Sequence, residues 1–250
     1  MKLVVQIPCF NEAETLPDVV QSIPRKIKGF DTVEIIVIDD GSSDGTADVA
    51  RDLGVDAVIR HRSNRGLAEA FRSGFDYALS HGADIIVNTD GDNQYPQGRI
   101  PDLVEPIVHG NADIVIGDRR TNRITHFSRA KKLLQFLGSR VVSLAAGNRI
   151  PDAGSGFRAY SRMAAIKLNL VTKYSYTMET IIQAGYKHLA IEHIPIQTNP
   201  KTRESRLFNS TPEHIVKSAA AILRSLLMYR PYAFFAPLGF LLAAGGLIPF

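Results

Sequence analysis

Short apolar runs alternate with amphipathic stretches through the first half of the chain. The apolar runs are rich in Val and Ile, which predicts strands at Leu3–Ile7, Glu34–Ile38, Ala57–Arg60, Asp84–Asn88 and Asp113–Ile116. Helical spacing between them predicts helices at Glu12–Ser22, Thr46–Leu53, Leu67–Ser80 and Ile100–His109. The alternation predicts an α/β fold, in which a mostly parallel central sheet is flanked by helices. Ligands of such sheets bind beyond the carboxyl ends of the strands.

The second half of the chain is less regular. A strand-like run covers Leu189–Thr198, and helical spacing predicts basic amphipathic helices at His126–Asn148 and Glu213–Arg230. Such helices suit a membrane surface, although each one alone is more typical of a helix that faces a protein core. Tyr232–Phe250 carries no charge, which predicts the start of a transmembrane helix or a buried C-terminal helix.

These patterns predict three regions along the chain. Residues 1–210 form the main α/β domain, in which 126–148 is an amphipathic helix at the membrane interface. Residues 211–230 form a juxtamembrane amphipathic helix, and 231–250 form a truncated transmembrane helix. Basic residues before Tyr232 predict a membrane-associated protein with this domain on the cytoplasmic face.

Composition narrows the class of protein. The chain has 250 residues and a net charge of +4, with no Trp and no basic run interleaved with aromatic residues, so nucleic acid is not an expected partner. Cys9 is the only cysteine, which excludes an internal disulfide and a thiolate metal cluster. No signal peptide is predicted, because Leu3–Ile7 enters an apolar strand at once.

Two aspartates flank a glycine directly after the strand that ends at Asn88. Side chains two apart on an extended chain point the same way, so Asp90 and Asp92 present two carboxylates to one side, and Gln94 adds a neutral oxygen. Oxygen ligands with spare positions suit Mg²⁺ or Mn²⁺, and a substrate phosphate can complete the shell. The motif therefore predicts an enzyme that handles a nucleotide diphosphate through a metal ion.

A second acidic motif, Asp39 to Thr46, follows another predicted strand. It is typical of a tight turn with a helix N-cap, and equally of a nucleoside pocket in which Asp39 accepts hydrogen bonds from base or ribose. A calcium-binding EF-hand is excluded here by Arg51, and in the Asp90 motif by Tyr95 and Pro101.

Two later segments carry polar chemistry as well. Asp152 to Arg158 is a linker turn or a functional loop, and Lys201 to Arg206 is a solvated surface or a phosphate clamp built on Arg203 and Arg206. Dinucleotide, P-loop, zinc-protease and serine-hydrolase motifs are absent from the sequence.

Taken in order, these motifs resemble those of the family 2 inverting glycosyltransferases of GT-A fold, in the polyprenyl-phosphate (dolichol-phosphate mannose synthase-like) branch. The resemblance covers about residues 1 to 210 and is specific as an ordered set. It is carried by Ile7-Pro8-Cys9-Phe10-Asn11-Glu12, Asp39-Asp40-Gly41-Ser42-Ser43-Asp44-Gly45-Thr46, Asn64-Arg65-Gly66-Leu67, Asp90-Gly91-Asp92-Asn93-Gln94, Ile116-Gly117-Asp118-Arg119, Asp152 with Ser155-Gly156-Phe157-Arg158, and Arg203 with Ser205-Arg206.

The resemblance implies a role for each group of residues. The catalytic residues would be Asp92, Asp152 and Arg119. The nucleotide-binding residues would be Pro8, Phe10, Glu12, Asp39 and Asp90, and the ligands of Mg²⁺ or Mn²⁺ would be Asp90, Asp92 and Gln94. Contacts to the phosphates and the acceptor would come from Arg158, Arg203, Ser205 and Arg206. The basic helices would lie on the membrane and admit the lipid.

The chain departs from the family pattern at three places. Phe10 replaces a common tyrosine, Arg206 replaces the usual lysine, and Glu179 alone stands where members acting on hydroxyl groups usually carry a Glu-Asp pair. The resemblance therefore implies transfer of a sugar from a UDP- or GDP-sugar to a polyprenyl (dolichyl or undecaprenyl) phosphate. The alternatives are transfer to a sugar hydroxyl with Glu179 or Asp152 as base, and a non-catalytic nucleotide-binding module that recruits partners to a membrane.

Overall fold

The fold is described by a computed structural model that covers residues 1–121, 129–171, 176–200, 211–229 and 231–246. Its strands are β1 (Lys2–Cys9), β2 (Thr32–Asp39), β3 (Ala57–Arg60), β4 (Ile85–Asn88), β5 (Ile114–Asp118), β6 (Arg158–Ser161) and β7 (Ile191–Pro195). Its α-helices are α1 (Leu16–Ser22), α2 (Thr46–Asp52), α3 (Leu67–Ser80), α4 (Ile100–Val108), α5 (Arg129–Ala146), α6 (Arg162–Lys167), α7 (Tyr176–Tyr186), α8 (Thr211–Tyr229) and α9 (Pro231–Gly246). All five strands predicted in the first half are present, whereas β6 was not predicted.

The seven strands form one sheet in the order β3-β2-β1-β4-β6-β5-β7. All neighbouring strands are parallel except β6, which runs antiparallel to both β4 and β5. The prediction of a mostly parallel sheet flanked by helices is therefore confirmed. The antiparallel strand reverses the chain, and the residues that precede it consequently lie at the same edge as the carboxyl ends of its neighbours.

The core has two layers, one on each face of the sheet. Alternate residues of β1 divide between them, since Val4 belongs to the layer that includes α3, α5 and α7, and Val5 belongs to the layer that includes α1 and α4. Such division is the period-two pattern of a strand that is buried on both faces. It explains why the first half of the sequence reads as continuous apolar runs instead of a polar–apolar alternation.

Helices α5, α7 and α8 pack side by side on one face of the sheet. Within this group Gly185 of α7 lies directly against the backbone of Ala146 in α5. Tyr186 of α7 packs against Tyr229 of α8, with 5.9 Å between ring centroids. These contacts pack α7 between α5 and α8.

Several apolar side chains of these helices nevertheless face solvent. On α5 they are Leu133, Phe136, Leu137, Val141 and Leu144, and on α9 they are Tyr232, Phe235, Phe240 and Leu242. The predicted amphipathic helix thus exposes much of its apolar surface, and the core buries Val142, Ala145 and Ala146.

The transmembrane segment predicted at 231–250 is not confirmed. Helix α9 covers 16 residues and ends at Gly246. Among the residues that the structure describes, no helix combines the length and the apolar character that crossing a membrane requires.

Candidate active site

Polar residues converge at one edge of the sheet. The carboxyl ends of β1, β2, β4 and β5 lie there, and the beginning of antiparallel β6 joins them because Arg158 pairs with Asn88 of β4 and with Ile116 of β5. The chain thereby brings together the segments at 90–94, 118–119 and 152–157, which are far apart in sequence. Sequence analysis predicted the position of 90–94 from parallel topology and a role for Arg119 only from the family resemblance, whereas β6 decides the position of 152–157.

The two carboxylates of the metal motif are close enough to interact. Burial and the neighbouring charge of Asp92 raise the pKa of Asp90, and burial also raises the pKa of Asp92. Gln94 donates to Asp92 twice, from its backbone N–H to Oδ1 at 3.2 Å and from its side-chain amide to Oδ2 at 2.7 Å. Two partly buried carboxylates that disfavour each other's charge form a pair that a divalent cation would stabilise.

The residues of this pair fit a divalent ion only together with a substrate. Within the described part of the chain, no group of three or more His, Cys, Asp or Glu side chains is arranged to hold a metal. Mg²⁺ and Mn²⁺ accept few protein carboxylates when substrate phosphates and water supply the remaining oxygens. Asp90, Asp92 and Gln94 therefore suit an ion that arrives with a diphosphate.

A buried hydrogen-bond network lies next to Asp90. Asn88 donates its amide to the carbonyl of Gly156 at 2.9 Å and to the hydroxyl of Tyr176 at 2.8 Å, and its oxygen accepts from Gln6 at 2.9 Å. A Cβ at Gly156 would lie 3.0 Å from one carboxylate oxygen of Asp90 and 2.9 Å from the Tyr176 hydroxyl. The absence of a side chain at Gly156 thus permits this close approach.

Arg119 and Asp152 form a two-point ion pair beside the acidic turn. Arg119 Nε lies 2.7 Å from Asp152 Oδ2 and Nη2 lies 2.9 Å from Oδ1, while the Arg119 backbone N–H also donates to Oδ2. Burial alone would raise the pKa of Asp152, but the charge and hydrogen bonds of Arg119 outweigh burial and hold that pKa below its usual range. Asp152 is therefore a carboxylate with little tendency to take up a proton.

Arg158 does not lie where it could contact a phosphate. Its side chain is fully buried, and its guanidinium donates to the carbonyls of Ala153, Ser155 and Thr177 and to the hydroxyl of Thr180. The predicted phosphate contact is corrected for this residue: Arg158 stabilises the loop before β6 and its junction with α7.

The candidate nucleoside pocket lies where β1 and β2 end. Asp39 is fully buried and accepts from the backbone N–H of Ser42 at 2.9 Å. Arg60 Nε lies 3.2 Å from Asp39 Oδ2 in an ion pair, yet this oxygen accepts no hydrogen bond from the described residues. An unused buried acceptor of this kind suits an N–H group of a base.

The remaining predicted pocket residues also belong to this region. Pro8 is buried within β1, where it pairs with Ile38, and Phe10 follows the strand half-buried. Glu12 is largely buried and accepts a hydrogen bond from the Thr15 hydroxyl at 3.1 Å. The structure therefore places all three at the carboxyl end of β1, as the sequence predicted for the edge as a whole.

A chain of polar side chains beside this pocket was missed by sequence analysis. His61 is buried, and its ring nitrogens lie 2.7 Å from Asp40 Oδ1 and 2.9 Å from the Ser73 hydroxyl. Asp40 also accepts from the backbone N–H groups of Arg65 and Gly66, which fixes the loop before α3. An open pocket of about 320 Å³ lies alongside, lined by Gly41, Ser42, Arg60, His61 and Arg62. The repeated Asp of the Asp39-Asp40 pair was the one available signal for this network.

Two further groups of predicted residues remain. Arg203, Ser205 and Arg206 lie outside the described residues. Glu179 is buried in α7, where it accepts from the backbone N–H of Val171 and from the side chain of Gln183. Tyr176, which supports Asn88, was not predicted, because its ring reads as an ordinary apolar position.

Comparison with known proteins agrees with this geometry. The profile described as glycosyl transferase family 2 matches residues 4–168. An uncharacterised protein of Methanocaldococcus jannaschii is 32% identical over 202 residues, which cover 79% of this chain and 81% of that protein. The undecaprenyl-phosphate mannosyltransferase of Micrococcus luteus is 30% identical, with coverage of 78% and 83%.

A solved structure shares the fold. Glucosyl-3-phosphoglycerate synthase from Mycobacterium tuberculosis, crystallised with Mn²⁺, UDP and glucosyl-3-phosphoglycerate, superposes with a TM-score of 0.69. The match covers 91% of this chain and 79% of the synthase at 22% sequence identity. The likeness confirms the expected α/β architecture of GT-A type.

Proposed function

The chain belongs to glycosyl transferase family 2 and is a glycosyltransferase. From this premise we propose that it transfers a sugar from a UDP-sugar or GDP-sugar to a polyprenyl phosphate at a membrane. One observation carries the proposal. The acidic turn at Asp90 and Asp92 and the Arg119–Asp152 ion pair lie side by side at the carboxyl edge of the sheet. Such an arrangement can hold a leaving diphosphate and an anionic nucleophile in one site.

Asp39 would bind the base of the donor. Its Oδ2 is buried at the end of β2 and is ion-paired with Arg60 but accepts no hydrogen bond from the described residues; it lies next to the 320 Å³ pocket lined by Arg60 and His61. Pro8, Phe10 and Glu12 would complete the walls of the nucleoside site. Both uracil and guanine offer N–H donors to a carboxylate, so either UDP or GDP fits.

Asp90, Asp92 and Gln94 would hold Mg²⁺ or Mn²⁺ on the donor diphosphate. The raised pKa values of the two acids show that their environment disfavours two adjacent negative charges, which a cation would neutralise. When bound, the ion would offset the charge that develops on the departing nucleoside diphosphate. The network of Asn88, Tyr176 and Gly156 would keep Asp90 in position.

Arg119 would contact phosphate at the reacting centre. The side chain is mostly buried, and Asp152 fixes its plane through two hydrogen bonds. A fixed guanidinium offsets repulsion between an attacking phosphate oxygen and the diphosphate. Attack from the face opposite the leaving group would invert the anomeric carbon. Arg203, Ser205 and Arg206 remain predicted contacts to the lipid phosphate.

The chemistry of the acids favours a phosphate acceptor over a sugar hydroxyl. A hydroxyl nucleophile needs a general base, and the low pKa of Asp152 makes it a poor one. Glu179 is buried among hydrogen-bond partners in α7. A phosphate oxygen is already ionised at neutral pH and requires no base. Membership of an enzyme family removes the support for a non-catalytic module.

The solvent-facing apolar side chains of α5 and α9 support membrane association. Leu144 on α5 is 74% exposed and Tyr232 on α9 is 88% exposed, although water disfavours both. Arg140, Lys217 and Arg224 are exposed cations on α5 and α8. Apolar and cationic side chains on one helix are typical of segments that lie in a lipid interface. The catalytic part would then act at the cytoplasmic face.

The proposal is tested by supplying polyprenyl phosphate in detergent with a panel of UDP- and GDP-sugars, with and without a chelator. The expected product is a glycosyl phospholipid of inverted anomeric configuration, formed from one nucleotide class and abolished by EDTA. Soluble sugars offered as acceptors provide the comparison. Transfer to a sugar hydroxyl in preference to the lipid phosphate, or full activity in EDTA, would refute it.

A further inference from the structure

Asn199 lies a few residues after β7 and forms hydrogen bonds with the acidic turn, which is distant from it in the sequence. Its side-chain amide donates to the carbonyl of Asn93 at 2.9 Å and to that of Tyr95 at 3.4 Å. Its backbone N–H donates to the carbonyl of Gln94 at 2.9 Å. Asn199 thus donates hydrogen bonds to three consecutive carbonyl groups, the first of them 106 residues away in the sequence.

The turn that these bonds hold has an unusual backbone. Asn93 has φ of 56°, in the left-handed region that non-glycine residues rarely adopt. The residue stands between Asp92 and Gln94, so its conformation sets how those two side chains are directed relative to each other. An uncommon conformation persists where surrounding contacts stabilise it, and Asn199 supplies such contacts.

Among the described residues, Asn199 donates its hydrogen bonds to the turn and not to the carboxylates themselves. The side chains of Asp92 and Gln94 bond to each other, whereas Asn199 binds only the carbonyl side of the turn and the side-chain oxygen of Asn93. Any effect on the acids must therefore act through the backbone. This separates a positioning role from a ligand role.

We propose that Asn199 is a positioning residue for the metal ligands: it fixes the turn at 92–95 so that Asp92 and Gln94 are directed to one divalent ion. The inference rests on the proposed function, since it presumes that this turn binds the ion of the donor diphosphate. Groups that orient metal ligands without touching the metal typically contribute a factor of about 10 to 100 in affinity or activity. Loss of Asn199 should accordingly weaken metal binding by about tenfold or more.

The experiment compares the 250-residue chain with Asn199→Ala and Asn199→Leu variants. Both remove the amide donors, and Leu keeps most of the side-chain volume, so a folded variant remains available if Ala disturbs packing. Asn111→Ala is the matched control, because Asn111 is an exposed residue in the turn between α4 and β5. Thermal unfolding without metal identifies the variants that fold.

The readout is calorimetric titration of Mn²⁺ into each protein, alone and with UDP or GDP present, followed by turnover as a function of Mn²⁺. We expect the dissociation constant for Mn²⁺ to rise about tenfold or more in the Asn199 variants and to stay unchanged in Asn111→Ala. Because the ligands themselves are intact, saturating Mn²⁺ should restore most of the turnover. A purely structural role would lower thermal stability without this selective and rescuable loss.

The outcomes separate the two proposals. If the wild-type protein binds Mn²⁺ and a folded Asn199 variant binds it equally well, the inference is overturned while the proposed function stands. The inference also fails if turnover falls and saturating Mn²⁺ does not restore it. If the wild-type protein binds no Mn²⁺ even with UDP or GDP, the metal site of the proposed function fails, and the role of Asn199 fails with it.

Discussion

At the scale of single residues, the surroundings of three carboxylates determine the chemistry of the site. Burial and the charge of Asp92 raise the pKa of Asp90, and burial raises the pKa of Asp92, whereas Arg119 lowers the pKa of Asp152 and keeps it ionised. Three carboxylates at one edge therefore differ in chemistry because their neighbours differ. The first pair suits a cation, and the third suits orientation of an arginine.

Replacing Asp92 by Asn removes one charge from the metal motif and keeps its shape. We expect turnover to fall by about 10²-fold or more, on the scale of losing a principal electrostatic stabiliser. The measurement is steady-state turnover of a folded variant at saturating metal. Asp76→Asn, on the exposed surface of α3, is the control and should keep normal activity. Near-normal turnover of Asp92→Asn would argue against its role.

Replacing Asp152 by Ala leaves the guanidinium of Arg119 mostly buried without its partner. Breaking a buried pair in this way typically costs about 3 to 5 kcal/mol, and we expect the free energy of unfolding to fall by that order at pH 7. The pKa of Asp152 is lowered in the folded state, so its contribution is complete above the unfolded pKa and is lost as pH falls through the folded one.

Denaturant unfolding at a series of pH values measures this effect. The stability gap between wild type and Asp152→Ala should be largest at neutral pH and should narrow under acid conditions. Asp76→Ala serves as the reference for loss of an exposed carboxylate. A gap that is small at pH 7, or that widens in acid, would contradict the assignment of the ion pair as a stabilising contact.

At the scale of elements, the antiparallel strand and a tight helix contact determine where the polar segments lie. Because β6 runs antiparallel to β4 and β5, residues 152–157, which precede it, lie at the edge of the sheet that carries Asp90. Helix α7 comes after α6 and places the Tyr176 hydroxyl within hydrogen-bond distance of Asn88. Its other end packs against α5 at Gly185 without room for a side chain.

Gly185→Ala should destabilise the protein through this helix contact. A Cβ at this position would overlap the carbonyl of Ala146, and the obstruction is backbone that cannot rotate away. Overpacking typically costs about 1 to 3 kcal/mol, and we expect the upper part of that range. Gly138→Ala in α5 is the matched control, because a Cβ there meets no atom within 4 Å.

Thermal or denaturant unfolding compares the two variants directly. Gly138→Ala should raise the free energy of unfolding by about 0.5 to 1 kcal/mol, since alanine is the better helix former. Opposite signs for the two substitutions are the expected result. Equal tolerance of alanine at Gly185 would show that α5 and α7 do not meet closely at this point.

At the scale of the whole molecule, the apolar residues on α5 and α9 stay uncovered while the sheet is buried on both faces. The exposed side chains on α5 alone include Phe136 and Leu144. Burial of each large apolar side chain in a lipid interface would contribute about 1.5 to 3 kcal/mol of favourable transfer free energy. Association with a membrane is therefore a property that solution measurements can test.

A double substitution, Phe136→Glu with Leu144→Glu, should reduce binding to vesicles of anionic lipid by about tenfold or more, because it replaces two apolar contacts by charge. Co-sedimentation measures the bound fraction. Met163→Glu is the control. Met163 is comparably exposed, but it lies on α6, which follows the end of β6 that is distant from the candidate active site. Equal binding of all three proteins would remove α5 from the membrane contact.

The sequence by itself determined much of the parallel core and the composition of its edge. Val- and Ile-rich runs that are buried on both faces are a local signal, and five strands were predicted from it with nearly correct bounds. The aspartates at 39, 90 and 92 could be placed at one edge because parallel strands align their carboxyl ends.

Tertiary structure alone decided the pairing of distant groups. The four residues of β6, Arg-Ala-Tyr-Ser, contain no Val or Ile and so lack the signal that identified the equally short β3 and β4. The antiparallel direction of β6 nevertheless brings Asp152 to Arg119 and buries Arg158, whose predicted role was wrong. The contacts of Asn199 and His61 likewise join segments with no shared local pattern. Such hydrogen bonds depend on distances across the sheet, and a sequence records the residues that can form them but not which of them meet.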